Sequence, residues 1–199
     1  TDGPLQEPEA VQVAQTGVDL DGVQSELIIF FSQPDYQLDR ISLDQPELLA
    51  YLKSRGAPEQ LAVPRAIAAL DNLGCEVLEV QGLQVYVMCF YLDGVPRDAA
   101  GQAMPGKKPM MVATAPAVQP GANAEAPATM MKKPTTLVHL VTIPRDQFVG
   151  APRVGDPVGM SQNGMWSFAT WATDEVVYVA ASPAEAERFA ELAQSLTSS

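Results

Sequence analysis

The stretch GCEVLEVQGLQVYVMCFY, residues 74–91, constrains the fold of this chain more than any other part of the sequence. It reads as two apolar strands joined at Gln81 and Gly82, and glycine suits the tight turn of a β-hairpin. The second strand, residues 85–91, is apolar on both faces, which is typical of a strand inside a sheet that is covered on both sides. The sequence therefore predicts a β-hairpin in the interior of a sheet.

Two cysteines lie in this hairpin, and the length of its turn decides how they are placed. With a two-residue turn at Gln81 and Gly82, Cys75 lies opposite Met88, and Cys89 points to the other face of the sheet. With a three-residue turn, Cys75 lies directly opposite Cys89, and cross-strand neighbours are about 4.5–5.5 Å apart, within disulfide range. We expect Cys75 and Cys89 to lie within disulfide range, as a candidate disulfide in an exported protein. The alternative is two buried free thiols.

Capping signals predict three helices around this hairpin. Asp44 followed by Glu47 forms a capping-box pattern, and Gly56 ends the helix that this pattern opens. Pro64 begins a second, short helix. Ser182 caps a third helix near the C-terminus, whose apolar residues recur at the spacing of one buried face. That face is formed by Phe189, Leu192, Ala193 and Leu196.

Four further apolar runs predict strands, at residues 26–31, 135–144, 164–171 and 176–182. A strand, two helices, a run of antiparallel strands and a closing helix follow one another in the order of an α+β fold. We therefore expect a mostly antiparallel sheet with helices packed on one face, a C-terminal helix and a long disordered loop between two strands.

The chain divides into a polar tether, residues 1–26, and a single α+β domain, residues 27–199, with an insertion at about 95–134. The insertion is a low-complexity tract of proline, alanine and methionine. It cannot bury enough surface to offset its ordering entropy, so we expect a flexible loop. Thioethers are soft ligands that suit copper(I), but these methionines lack the close spacing of such sites. We therefore expect neither a metal nor a cofactor there.

Composition and charge exclude several classes of protein. Among the 199 residues, 24 are acidic and 12 are basic, and the net charge is −12 at pH 7. Phosphate neutralisation dominates affinity for nucleic acids, so a chain without a basic patch is not expected to bind them. No apolar run in the sequence is long enough to span a bilayer. The first residue is Thr1 rather than methionine, so we expect a removed tag, a signal peptide or an anchor helix upstream.

Histidine-dependent catalysis would have to use His139, the single histidine. It lies at the centre of a predicted strand, and the sequence marks no nucleophile or orienting group near it. The segment GMSQNG, residues 159–164, resembles a nucleophile elbow around Ser161 but has one residue too many. No acid is expected inside an apolar strand as a buried carboxylate. We therefore expect no catalytic residues and no metal site; a hydrolase with an unmarked site near His139 or Ser161 is the alternative.

Several segments together resemble a known family. LLAYLKSRGAP, GCEVLEVQGLQVYVMCFYLDG, TLVHLVTIPRDQF and NGMWSFATWATDEVVYVAASPAEAERFAELA are similar to the extracytoplasmic domain of membrane-anchored, anti-sigma-factor-like bacterial proteins. The resemblance covers about residues 43–196, apart from the insertion at 95–134. In that family a single transmembrane helix follows a small cytoplasmic sigma-binding segment, and neither part falls within the matching segments.

The resemblance implies a non-enzymatic extracytoplasmic sensor or interaction domain of an anti-sigma-factor-like regulator of transcription. It also implies a periplasmic location, with membrane tethering only through an upstream anchor outside the present sequence. Protein partners would be reached through the full-length chain. The alternative within the same fold is a free periplasmic or secreted binding module without a sigma partner.

Overall fold

The computed structural model of the protein describes residues 17–98, 100–104, 136–183 and 186–196. Within them one sheet contains the strands β1 (Arg40–Ile41), β2 (Asp71–Val80), β3 (Leu83–Tyr91), β4 (Leu137–Pro144), β5 (Gly159–Asn163), β6 (Trp166–Ala172) and β7 (Val176–Ser182). The helices are α1 (Leu20–Phe31), α2 (Gln45–Ser54), α3 (Arg65–Ala68) and α4 (Ala186–Leu196). The strand order is β1-β2-β3-β4-β7-β6-β5, and every pairing is antiparallel. The predicted α+β class, with a mostly antiparallel sheet and a C-terminal helix, is confirmed.

The central hairpin, β2 and β3, closes through a two-residue turn. Gln81 and Gly82 have positive φ angles of 51° and 76°, the pattern of a type I′ turn, and Val80 pairs with Leu83. Cys75 consequently lies opposite Met88 rather than opposite Cys89. The turn does not have three residues, and the expectation that Cys75 and Cys89 lie within disulfide range is therefore wrong. The two cysteines are buried free thiols on opposite faces of the sheet.

The segment 26–31, predicted to be a strand, lies in helix α1. The helix starts at Leu20, inside the segment that the sequence assigned to the tether, so the ordered domain begins earlier than residue 27. The Asp19 side chain caps it by accepting a hydrogen bond from the Gly22 backbone N–H. Val23, Leu27 and Phe31 are buried at helical spacing. The strand prediction failed because a short apolar run does not by itself distinguish a strand from part of a buried helix.

Helices cover both faces of the sheet. One face, here called the α1 face, packs against α1 through side chains such as Val87, Val141 and Val179. The opposite face carries α2, α3 and α4 on the alternate side chains of the same strands, among them Met88 and Leu140. The expectation that helices pack on one face therefore holds for these three helices, while α1 adds a second covering layer.

The predicted N-cap of α2 forms, but the reciprocal half of the capping box does not, because the Asp44 N–H donates to the Ser42 hydroxyl and not to Glu47. The Asp44 side chain accepts a hydrogen bond from the backbone N–H of Glu47 at 3.3 Å. Glu47 accepts hydrogen bonds from Arg40 and from the Ser42 hydroxyl, which ties α2 to β1. Near the C-terminus, Phe189 and Ala193 are buried as the spacing predicted, whereas residues 184 and 185, beside the predicted cap at Ser182, lie outside the described part.

The predicted insertion joins two strands that are neighbours in the sheet, since β3 pairs with β4. Its first residues form a compact turn. Arg97 and Ala103 make an isolated antiparallel β-bridge, and the Asp98 side chain accepts hydrogen bonds from two backbone N–H groups. Residues 105–135 lie outside the described part, and so does the prediction of a flexible loop there. Among the described helices, none has both the length and the apolar character needed to cross a membrane.

Candidate functional site

A polar cluster is buried in the sheet beneath α1. Cys89 on β3 and His139 on β4 are direct cross-strand partners, and the Sγ atom of Cys89 lies 3.1 Å from Nδ1 of His139. Glu76 on β2 faces the same side and is 2% exposed. These three residue types also occur together in cysteine hydrolases, as nucleophile, base and orienting acid. The expectation that no acid is buried in an apolar strand is therefore wrong, and the structure places beside His139 a cysteine that the sequence had not marked as its neighbour.

Aromatic side chains seal this cluster from solvent. The Phe31 ring of α1 stacks on the His139 imidazole with 3.8 Å between ring centroids. Tyr36 places its hydroxyl 3.9 Å from the Cys89 sulfur, and Trp166 lies against His139 from β6. As a result Cys89 is 0% and His139 4% exposed.

Burial also fixes the protonation states of the pair. Desolvation lowers the pKa of His139 to about 3. It raises the pKa of the Cys89 thiol well above its ordinary value, and the negative charge of Glu76 raises it further. At neutral pH the pair is consequently an uncharged thiol beside an uncharged imidazole. A catalytic cysteine needs the thiolate and access to substrate, and this geometry supplies neither.

Ser161, the other residue singled out by the sequence, lies on β5 and does not reach His139. The register runs in one row from Ser161 to Phe168, Ala181 and His139 across β5, β6, β7 and β4. Three strand spacings of about 4.8 Å separate the two residues by roughly 14 Å. A serine–histidine pair is therefore not assembled, although both residues project from the α1 face.

Ser161 instead lines a cleft on the α1 face. The cleft measures about 220 Å³ and lies between the start of α1, the loop that precedes β5, and strands β5 and β6. Its lining consists of Leu20, Phe148, Gly150, Pro152, Asp156, Pro157, Gly159, Met160, Ser161 and Thr170. The Ser161 hydroxyl accepts a hydrogen bond of 2.8 Å from the Gln24 side-chain amide of α1.

Thr170 is the unusual member of this lining. It is 4% exposed, yet its Oγ1 atom has no hydrogen-bond partner among the residues that the structure describes. Its cross-strand neighbour on β5 is Gly159, which places no side chain over it. A buried hydroxyl without a partner loses the hydrogen bonds that it makes to water. The cleft therefore contains a polar group whose hydrogen-bonding capacity is unused by the described residues.

A second, larger depression is open and polar. It measures about 520 Å³ and is lined by Pro58, Arg145, Asp146, Asp174 and Glu175. The Arg145 guanidinium donates to the carbonyl oxygens of Thr173 and Pro152 and so ties two loops together. No cysteine, serine or histidine lines it, and we regard it as a loop junction.

Neither a metal-binding cluster among the described residues nor a similar protein adds a further assignment. Within the described ranges, no group of three or more histidine, cysteine or acidic side chains is placed to hold a metal ion. Comparison with protein-family models, with curated proteins and with solved structures found no match to this chain.

Sequence reasoning did not single out Glu76 in the buried cluster, or Asp156, Gly159 and Thr170 in the cleft. Glu76 was detectable, because a two-residue turn fixes it on the same face as Cys89, Leu78 and Val80. Gly159 and Thr170 carried no such signal, since their pairing depends on where β5 joins the sheet.

Proposed function

We propose that this protein is a non-enzymatic sensor or interaction domain, the extracytoplasmic part of a membrane-anchored regulator of the anti-sigma-factor type. The regulatory role is the one that the resemblance over residues 43–196 implies. In such a protein the domain would act through protein contacts outside the cytoplasm and would influence transcription through the full-length chain.

One observation carries the non-enzymatic part of the proposal. The described residue pair with the elements of a nucleophile and a base, Cys89 and His139, is enclosed beneath Phe31 of α1 and is neutral at physiological pH. A nucleophile of this kind has neither access to substrate nor a base of suitable pKa. The pair instead joins β3 to β4 through a buried hydrogen bond.

The proposal is tested by two measurements. Purified domain is screened for hydrolase activity beside the variants Cys89→Ser, His139→Gln and Ser161→Ala, and we expect no activity that any of them abolishes. Transcription is then compared in cells with the full-length protein, without it, and with a protein that lacks only residues 43–196. An activity lost in a point variant would overturn the non-enzymatic assignment. A transcription profile that is the same in all three genotypes would overturn the regulatory assignment and favour a plain binding module.

A further inference from the structure

Among the residues that the structure describes, nothing pairs with the outer edge of β5. Strand β5 (Gly159–Asn163) ends the sheet there, and β6 is its single partner within the described ranges. All five of its residues are exposed, and none is charged or is proline. Sheet edges are usually blocked by charges, proline, a bulge or a covering element, because their unpaired N–H and C=O groups bind other strands. The opposite edge, β1, is only two residues long, so β5 is the better template for an added strand.

The cleft described above lies directly beside this edge. Its volume of about 220 Å³ is below the range of about 300–1,000 Å³ that is typical of small-molecule pockets. A space of this size beside a sheet edge suits one side chain of a bound strand better than a whole ligand. Strand addition combines backbone hydrogen bonds with such side-chain pockets.

The chemistry of the cleft selects the side chain. Leu20, Phe148 and Pro157 supply apolar walls that suit an aliphatic stem. Two hydroxyl oxygens can accept hydrogen bonds here: Thr170 Oγ1 has no partner within the described ranges, and Ser161 Oγ keeps a lone pair after accepting from Gln24.

Negative charge adds to this selection. Asp156 lines the cleft, its carboxylate accepts a backbone N–H from Arg153, and it takes part in none of the salt bridges of the described residues. Three acceptors, one of them charged, match the three N–H donors of a lysine ammonium group. The net charge of −12 attracts a cationic segment over a longer range.

We propose that β5 binds an extended basic peptide segment of a partner protein by strand addition, with one lysine side chain inserted into the cleft beside Thr170, Ser161 and Asp156. This inference rests on the proposed function as an interaction domain and names the chemistry of the partner. The peptide backbone pairs with the outer edge of β5. The lysine stem lies along the apolar walls, and its ammonium group takes up the unused acceptor at Thr170.

The test uses defined probes and the intact 199-residue chain. Blocked peptides of the form TVTKTVT are titrated by calorimetry, with norleucine or glutamate in place of the lysine, and the β5 amide signals are followed by NMR. We expect the lysine peptide to bind about ten-fold more tightly than the norleucine peptide, since a hydrogen bond to a charged group contributes that much. Alternate residues of the bound peptide point their N–H groups toward β5. Methylation of those backbone nitrogens should therefore abolish binding, whereas methylation of the other set should not.

Protein variants locate the site. Thr170→Val and Asp156→Asn should each weaken the lysine peptide and leave the norleucine peptide unchanged. Gly159→Val, which fills the cleft in front of Thr170, should weaken both. Glu191→Gln on α4 changes the net charge as Asp156→Asn does, but lies on the opposite face, and should have no effect. The proposal is overturned if the three peptides bind alike, if Glu191→Gln acts as strongly as Asp156→Asn, or if the β5 signals do not move.

This test and the test of function can fail separately. If the lysine peptide does not bind while loss of residues 43–196 changes transcription, the docking site is wrong and the regulatory role stands. If the peptide binds as described while transcription is unaffected, the docking site stands and belongs to a binding module of another kind.

Discussion

The Cys89 sulfur and the His139 imidazole form a sulfur–nitrogen contact of 3.1 Å in a part of the sheet that solvent does not reach. The pair is held between β3 and β4 and is closed by the Phe31 ring of α1. Because burial keeps both groups neutral in the folded state, it makes the stability of the domain depend on pH and leaves the thiol unreactive.

Acid should destabilise the domain through His139. Its pKa is about 3 in the folded protein and 6.5 as an unperturbed group, so between these values the unfolded chain binds one more proton than the folded chain. The contribution of His139 to the free energy of unfolding is fully present above pH 6.5. Below that pH it falls by about 1.4 kcal/mol for each pH unit. Urea unfolding of the wild type at pH 7.5 and pH 5 should differ by about 2 kcal/mol from this group alone.

The variant His139→Gln isolates that contribution. It removes the titrating group and keeps all the carboxylates, so its unfolding free energy should fall less between the two pH values than that of the wild type. Equal pH dependence in the two proteins would contradict a buried neutral histidine at this position.

Both cysteines should resist thiol reagents until the protein unfolds. Burial raises the pKa of Cys75 to about 12, with a further contribution from the charge of Asp39, and it raises that of Cys89 as well. Since only the thiolate reacts, a chromogenic disulfide reagent should modify neither thiol in native protein at pH 8. In denaturant without reductant it should modify both. Fewer than two reactive thiols in the denatured protein would reveal a Cys75–Cys89 disulfide and a different register of the hairpin.

Two residues, Leu27 and Ile29, distinguish a helix from a strand at α1, because the two structures place their side chains differently. Leu27 is fully buried and Ile29 is 63% exposed. In a strand residues 27 and 29 share a face, whereas in a helix they point in opposite directions. Leu27→Ala should therefore cost about 2–5 kcal/mol of unfolding free energy, and Ile29→Ala less than about 0.5 kcal/mol. Similar losses in the two variants would favour the strand instead.

Local signals in the sequence predicted local structure well. The Asp44 cap, the apolar spacing of α4 and the glycine turn at Gly82 each act within a few residues, and each appears in the structure. Only the turn length stayed open, because Gln81 is not one of the residues that favour a positive φ.

The candidate sites depend on long-range register, which local signals do not encode. Cys89 and His139 come together because β3 pairs with β4, and the insertion between these strands, at about residues 95–134, is too long for the turn rules of a short hairpin to predict their alignment. The same holds for Thr170 and Gly159, whose pairing is set where β5 joins the sheet. Apart from α1, β1 and β5, the sequence therefore predicted the elements of the fold, but it did not predict which side chains meet.

The close approach of β1 to β2 gives a last prediction, at Gly74. A Cβ atom added there would lie 2.2 Å from the Arg40 carbonyl oxygen and 2.8 Å from Leu38 Cδ1. Because the first of these atoms is backbone, the strand itself would have to move, and we expect Gly74→Ala to lower the unfolding free energy by about 1–3 kcal/mol. Hydrogen exchange at Arg40 and Ile41 should quicken as β1 separates from β2.

Gly159→Ala is the matched control for this prediction. Gly159 also lies in a strand, but the nearest atom to an added Cβ is the Thr170 carbonyl oxygen at 3.6 Å, an ordinary contact. Both substitutions remove the same conformational freedom from the unfolded chain, so the difference between them measures the clash at β1. Gly159→Ala should change the unfolding free energy by less than about 0.5 kcal/mol. If the two variants are equally stable, β1 does not pack against Gly74 as closely as the structure places it.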